Sequence, residues 1–391
     1  MRDSKATLWI ITEVFYPNET STAYILTNIA KAMSEKYNVK VICENESKSQ
    51  YIPDSFIDQV AIHKIRTVKL DERKIRSRAQ RQVILTLKLF NAAFSRIRRK
   101  DNVLIVTNPA PLILAMSFLK KLIGFNYTIL VHDVFPENTI PAGIFTSANN
   151  KVYRLIKKRF DSAYSCADKL ITLGQDMYEV IKQKVTRDNV DIEIIENWAD
   201  CNRIKAENQV HDKINLLYAG NFGRVQGLDT LLAVIKKVNN AKLYFYFRGK
   251  GALQNKIDET IHRCVKSNIS IGGAYSRDEE SAVLNSCDVA FVSLSSGMYG
   301  LGVPSKSYNI MAAGKPIIFI GDLNSEISLM IKKFDIGWRF SCEDQQKLVD
   351  FLNGLTDSSR DEIYDKGKRA REVAENYYSK DIILSKFKSL I

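Results

Sequence analysis

The sequence predicts an α/β chain built from two doubly wound domains, and three observations carry that expectation. Short β-rich runs alternate with longer helical patterns along nearly the whole length. Repeated units of this kind imply parallel strands joined by right-handed helical crossovers, which cover the sheet on both faces. A polar stretch over residues 199–212 then interrupts the alternation once before it resumes. A chain of 391 residues also has room for about two domains of roughly 150–200 residues, each large enough to bury a core.

Taken in order, the first half offers strands at Thr7–Thr12, Asn38–Cys43, Val60–Ile65, Val103–Thr107, Tyr127–Val131, Lys169–Leu173 and Ile192–Glu196. Helical patterns fill Ser21–Glu35, Arg78–Arg99, Pro111–Ile123, Ser147–Cys166 and Gln175–Lys182. The first domain is expected over 1–198, the linker over 199–212 and the second domain over 213–377. Its strands are expected at Ile214–Ala219, Leu243–Arg248, Ile269–Gly272, Asp288–Ser293 and Pro316–Ile320.

Composition excludes several classes. With 45% hydrophobic and 26% charged residues, 18 Gly and 8 Pro, the chain is neither disordered nor fibrous. The longest apolar run, Pro109–Leu119, is ended by Lys120 and Lys121 far short of a bilayer span. Arg2 and Lys5 precede Leu8–Ile11, but Glu13 cuts that stretch too early for a secretory leader, so a cytoplasmic location is expected. Cys43, Cys166, Cys201, Cys264, Cys287 and Cys342 form no C-x-x-C pair, and are read as reduced, mostly buried thiols with no metal role.

The formal charge is +13, from 57 Lys and Arg against 44 Asp and Glu, and most of it is local. Residues 51–100 hold 13 basic and 4 acidic side chains. Within them Val83, Leu87, Phe90, Phe94 and Ile97 recur at helical spacing, opposite a stripe of Arg78, Arg81, Leu85, Lys88, Ala92, Arg96 and Arg99. Either a solvated surface helix packed on a sheet through its apolar face or a helix docked on an anionic membrane fits this pattern. No nucleic-acid-binding signature accompanies the charge, and the helix lacks interleaved aromatics for base stacking.

Ligands of doubly wound folds lie beyond the carboxyl ends of the strands, so four loops hold the candidates. After Ile214–Ala219 comes Gly220-Asn221-Phe222-Gly223-Arg224-Val225-Gln226-Gly227, where glycines let the backbone approach an anion and Arg224 can add a bidentate contact. The turn is neither G-x-G-x-x-G nor a Walker loop. After Asp288–Ser293, glycines at 297, 300 and 302 lead into Val303-Pro304-Ser305-Lys306, and Gly314 with Pro316 closes the helix that follows. Two such sites in one domain fit a diphosphate. In the first domain, His132, Asp133 and Glu137 cluster past a strand end, and Glu13–Thr22, with Tyr16, Thr20 and Ser21, opens the first helix. Thr20 or Ser21 can serve there simply as a helix cap.

The phrases Tyr218-Ala219-Gly220-Asn221-Phe222-Gly223-Arg224 and Gly302-Val303-Pro304-Ser305-Lys306, continuing to Pro316, resemble glycosyltransferase family 4. The bacterial O-antigen and capsule branch, with L-fucosamine transferase-like enzymes, is the most similar. The resemblance spans nearly the whole chain and takes in His132-Asp133 and Glu196-Asn197-Trp198. It implies a GT-B fold of two Rossmann-like domains facing a central cleft, with a C-terminal helix, here 378–391, crossing back to the first domain.

The activity implied is metal-independent, retaining transfer from a nucleotide diphospho-sugar, without a cofactor. The donor would be a UDP-sugar such as UDP-FucNAc or UDP-GlcNAc. The acceptor would be a polyprenyl-diphosphate-linked saccharide, met at the cytoplasmic face of the membrane through helix 78–99. Catalytic roles fall to His132 beside the donor sugar and to Arg224 and Lys306 as the diphosphate clamp. Donor contacts fall to Gly220, Asn221, Gly223, Arg248, Gly249, Gly251, Gly272, Tyr275, Gly302, Val303, Ser305 and Asn309. Acceptor contacts fall to Tyr16, Thr20, Ser21, Asp133 and Glu137. Three departures stand out. Asn221 and Gln226 replace a basic pair, Leu301 and Asn309 replace a pair of glutamates, and Thr20-Ser21 replaces Gly-Gly. A nucleotide-sugar 2-epimerase on the same architecture, or a membrane-associated binding protein without catalysis, remains as an alternative.

Overall fold

The computed structural model describes residues 5–45, 59–67, 75–263 and 268–391. The chain divides into two compact units: Met1–Asn138, Phe145–Ile195 and Leu384–Ile391 form the first, Thr139–Ile144 and Glu196–Ile383 the second.

The first unit holds β1 (Thr7–Ile11), α1 (Ser21–Met33), β2 (Asn38–Glu44), β3 (Ala61–Ile65), α2 (Ile75–Phe94), β4 (Asn102–Val106) and α3 (Pro111–Ile123). These are followed by β5 (Asn126–Leu130), α4 (Lys151–Tyr164), β6 (Lys169–Thr172), α5 (Gln175–Lys184) and β7 (Asp191–Ile194). Among the described residues the seven strands form one parallel sheet in the order β3-β2-β1-β4-β5-β6-β7. Its centre is apolar without alternation. Val103, Leu104, Ile105 and Val106 of β4 are all buried, because helices cover both faces of the sheet.

The second unit begins with β8 (Ile214–Asn221), α6 (Leu228–Lys237), β9 (Leu243–Lys250), α7 (Gln254–Arg263), β10 (Ile269–Gly272), α8 (Glu280–Asn285) and β11 (Val289–Ser293). It continues with α9 (Lys306–Ala312), β12 (Ile317–Ile320), α10 (Glu326–Phe334), β13 (Gly337–Phe340), α11 (Gln345–Gly354) and α12 (Arg360–Tyr377). Among the described residues six parallel strands run β10-β9-β8-β11-β12-β13, so β8 and β11, whose loops carry the glycines, are neighbours. The last helix, α13 (Lys380–Leu390), passes into the first unit from Leu384 onward. There Lys388 meets Glu35 at 2.7 Å, Lys169 donates to the Leu390 carbonyl at 2.7 Å, and Tyr37 OH donates to the Ile391 carbonyl.

The expectation for α2 needs correction. Its packed face is Leu85, Leu89 and Ala93, all buried, while Val83, Leu87 and Phe94 face water; of the expected apolar stripe, Ile97, just past the helix end, is buried. Two apolar stripes run along this helix, and spacing alone does not tell which one meets the sheet. Arg81 leaves the expected outer row as well: it forms salt bridges to Glu13 (2.5 Å) and Glu44 (2.6 Å), clasping the loop after β1 and the end of β2. The Arg78 side chain and Cys264 lie outside the described residues. The other five cysteines are free thiols, with Cys43, Cys166 and Cys287 buried. Among the described residues no helix is long and apolar enough to cross a membrane.

One contact sets the spacing of β8 and β9. Gly249 pairs with Gly220 at φ +151°, and a β-carbon there would lie 1.9 Å from the Gly220 carbonyl oxygen. Gly249→Ala is expected to cost at least about 3 kcal/mol. Urea unfolding measures it, and a loss under about 1 kcal/mol would show that the strands can part there.

Candidate active site

The glycine turn after β8 is fastened to the end of β11. Ser293 Oγ donates to the Gln226 carbonyl at 2.5 Å, Ser295 Oγ donates to the Arg224 carbonyl at 3.2 Å, and the Gly227 N–H donates to Ser295 Oγ at 3.2 Å. These bonds hold the first glycine-rich loop against the start of the second. They leave the Arg224 side chain exposed at the surface of the turn.

Lys306 opens α9, and its stem runs past Gly220. A β-carbon on Gly220, whose φ is +132°, would sit 3.5 Å from Lys306 Cδ and 3.9 Å from Nζ. The ammonium lies 3.6 Å from the centre of the Tyr218 ring. Nζ is buried and has no hydrogen-bond partner in the protein. Desolvation therefore pulls its pKa down to about 7, with the ring quadrupole as its polar neighbour. The next residue, Ser307, also buries its hydroxyl without a partner. A desolvated cation beside a glycine turn is chemically suited to a strongly charged anion, and Arg224 lies exposed on that same turn. Gly302, Val303 and Ser305 lead into this helix half-buried, and Ser305 stands at its cap position without a side-chain bond.

The remaining donor candidates gather at the ends of β9 and β10. Arg248 Nε donates to the Gly273 carbonyl at 3.2 Å and an Nη donates to Tyr246 OH at 3.1 Å, with the guanidinium 5.8 Å from the Tyr275 ring. Gly272 makes room for it, since a β-carbon would come within 2.6 Å of Arg248 Cδ. Gly251 is needed for a similar reason, being tight against Phe222 and Asn221. Gly223 sits beside the Asn221 amide. The side chain of Asn309 donates to Glu280 at 2.9 Å, and Glu280 also takes Arg203 at 2.6 Å. Burial, with the Glu280 carboxylate as a lesser cause, raises the Tyr275 phenol above the ordinary range.

In the first unit, Thr107 Oγ1 at the end of β4 accepts from the N–H groups of His132 (3.1 Å) and Asp133 (3.0 Å), fixing the loop after β5. His132 Nε2 is buried without a partner, and desolvation lowers the ring to about 4. The same burial lifts Asp133 to about 6. At neutral pH the pair is thus a neutral imidazole beside a mostly ionised carboxylate. Glu137 is committed elsewhere: buried Lys184 takes it at 2.6 Å and Lys157 at 3.2 Å. Thr20 caps α1, accepting from the Ala23 N–H at 3.4 Å, while Ser21 is exposed and Tyr16 half-buried.

Sequence reading missed Tyr218, Thr107, Glu280 and Lys184. Each acts across a long stretch of chain, and only Tyr218, inside the glycine phrase, stood near a visible signal. Among the described residues no group of three or more His, Cys, Asp and Glu comes together as a metal cage.

Two parallel-sheet α/β units, one of them carrying a desolvated lysine and an arginine around a glycine turn, define a GT-B glycosyltransferase architecture. The chain belongs to the glycosyl transferases group 1, a family that matches residues 201–376. It is 32% identical to the probable glycosyltransferase WbjE of Pseudomonas aeruginosa over 99% of this chain and 98% of that one. It is 22% identical to the putative colanic acid biosynthesis glycosyl transferase WcaI of Escherichia coli K12, over 70% of this chain and 69% of that one. Among solved structures, the sucrose-phosphate synthase of Thermosynechococcus elongatus shares the fold with a TM-score of 0.78, at 11% identity over 99% and 98% of the two chains.

The lowered Lys306 pKa fixes a sign. Between about pH 7 and the ordinary 10.5 the unfolded chain holds more protons at this site than the folded one, so stability gained there rises with pH. Lys306→Met should remove that slope and raise the melting temperature at pH 7, because an unpaired buried charge is lost. Thermal unfolding from pH 6.5 to 9 reads both effects; an unchanged slope with a lower melting temperature would mean that Nζ is solvated.

Proposed function

We propose that this glycosyltransferase moves a sugar, with retention of configuration, from a nucleotide diphospho-sugar onto a saccharide carried on polyprenyl diphosphate. It would work at the cytoplasmic face of the membrane in bacterial surface polysaccharide assembly, O-antigen or capsule. The donor is a UDP-linked N-acetylated sugar such as FucNAc or GlcNAc. The name of the relative WcaI, which speaks of colanic acid biosynthesis, supports the polysaccharide setting. The resemblance of the Pro304-Ser305-Lys306 phrase supports the donor class.

The observation that carries the chemistry is Lys306 Nζ, buried and unpartnered over Tyr218. As the bond between the sugar C1 and the diphosphate oxygen breaks, negative charge grows on the departing phosphate. A preorganised cation in a low-dielectric site stabilises that charge far better than one in water. The anion in turn favours the protonated amine, so Lys306 takes up a proton on donor binding near neutral pH. Arg224 adds the second contact. The acceptor oxygen bonds to C1 on the face the diphosphate leaves, and its proton passes to the departing phosphate oxygen. Neutral His132 hydrogen-bonds a sugar hydroxyl, and Asp133 accepts from a non-reacting hydroxyl of the acceptor saccharide, which orients it. Asn309 holds Glu280, whose carboxylate takes donor hydroxyls in place of the glutamate that Asn309 replaces.

Purified enzyme incubated with UDP- and GDP-sugars and a lipid-linked saccharide tests the reading. Turnover with a product of the donor's anomeric configuration is expected, with Lys306→Ala slower by about 10²–10³-fold. An inverted product would reassign Asp133 as the base of a direct displacement. Acceptor-independent conversion of the UDP-sugar would point to an epimerase, and donor binding with no turnover to a binding protein.

A further inference from the structure

The first unit wears an apolar face where water should be. Among its described residues, every exposed large hydrophobic side chain lies on three helices, α2, α3 and α4. Leu87 of α2 is 62% exposed, with Val83 and Phe94 on the same stripe at half exposure or more. On α3, Phe118 and Leu122 stand one turn apart, the latter 58% exposed. On α4, Val152 and Leu155 are equally bare. The helices pack in the order α2, α3, α4. Phe90 stacks on Phe94 at 6.3 Å and meets Phe118 at 6.3 Å, which joins the first two stripes.

The charge around this face has one sign. Exposed Arg96, Arg98, Arg99 and Lys100 follow α2, and Lys121 closes α3. Exposed Lys151, Arg154, Lys158 and Arg159 line α4. Segments 75–100 and 111–123 contain no acidic residue, and Asp161, the acidic residue of α4, is taken by Lys157 and Lys184. A second copy seated on this face would press cation against cation. An anionic bilayer offers an apolar interior to the leucines and phenylalanines and phosphates to the lysines and arginines together.

We propose that α2, α3 and α4 form a single lipid-inserting face, with Leu87, Phe94, Phe118 and Leu122 entering the acyl boundary of an anionic membrane while the surrounding lysines and arginines hold the head groups. The proposal deepens the lipid-linked acceptor reading above and rests on it for its purpose, but the face itself is read from the first unit alone. It differs from docking by a charged helix, in which apolar side chains would pack inward.

Flotation of the full-length protein with vesicles of phosphatidylethanolamine and phosphatidylglycerol, against pure phosphatidylcholine, gives the first measurement. Binding to the anionic vesicles is expected, with a salt-resistant part that falls at least about ten-fold in Leu87→Glu/Phe118→Glu. Both side chains are exposed, so the melting temperature should hold. Turnover on detergent-solubilised acceptor should also hold. A Phe94→Trp reporter should shift to the blue and be quenched by brominated lipid. Salt-labile binding that the double variant retains, or an unquenched reporter, would overturn insertion. So would a dimer in solution that Leu87→Glu/Phe118→Glu dissolves. Absence of turnover with bound vesicles intact would count against the acceptor reading and leave the face standing.

Discussion

A lysine ammonium held out of water with only an aromatic ring beneath it is the constraint around which the second unit is arranged. Such a group is costly to bury, and the surrounding chain is shaped to keep it there. Gly220 takes a φ of +132° beside the lysine stem, and Gly249 lets the neighbouring strand close up behind that turn. Ser293 and Ser295 stitch the turn to the strand beside it. In the proposed reaction the unused hydrogen-bond donors of Nζ are what the donor diphosphate takes up.

Much of this architecture was legible because its causes are local. Parallel strands covered on both faces read as unbroken apolar runs, and the runs at Val103–Thr107 and Asp288–Ser293 fall within a residue of β4 and β11. β13, by contrast, is a half-buried edge strand whose Gly-Trp-Arg-Phe pattern gave no comparable signal. The glycine turns and Lys306 were visible for the same local reason. Tyr218 beneath the lysine was not, since strand alternation shows which face a residue takes but not which distant helix crosses it. Thr107, Lys184 and Glu280 are similar cases: each is an ordinary polar residue until the fold brings it to a partner 25 to 47 positions away.

Helix α2 shows how periodicity fails. Val83, Leu87, Phe90 and Phe94 and the set Leu85, Leu89, Ala93 and Ile97 both recur at helical spacing, and Val83, Leu87 and Phe94 of the stronger-looking stripe are left in water with Phe90 half-buried. Small residues such as Ala93 mark the packed face, because a helix lying close on a sheet has little room for phenylalanine. The local excess of positive charge was real, but part of it faces inward.

Arg81, which grips Glu13 and Glu44, gives that helix a second identity. Glu13 begins the loop that carries Tyr16, Thr20 and Ser21, and Leu87 lies less than two turns further along the same rigid rod. Whatever surface steadies the outer stripe of α2 therefore also steadies that loop. The helix works as a tie-beam, and on the proposed reading the angle at which the molecule rests on a membrane becomes part of the shape it offers to an acceptor.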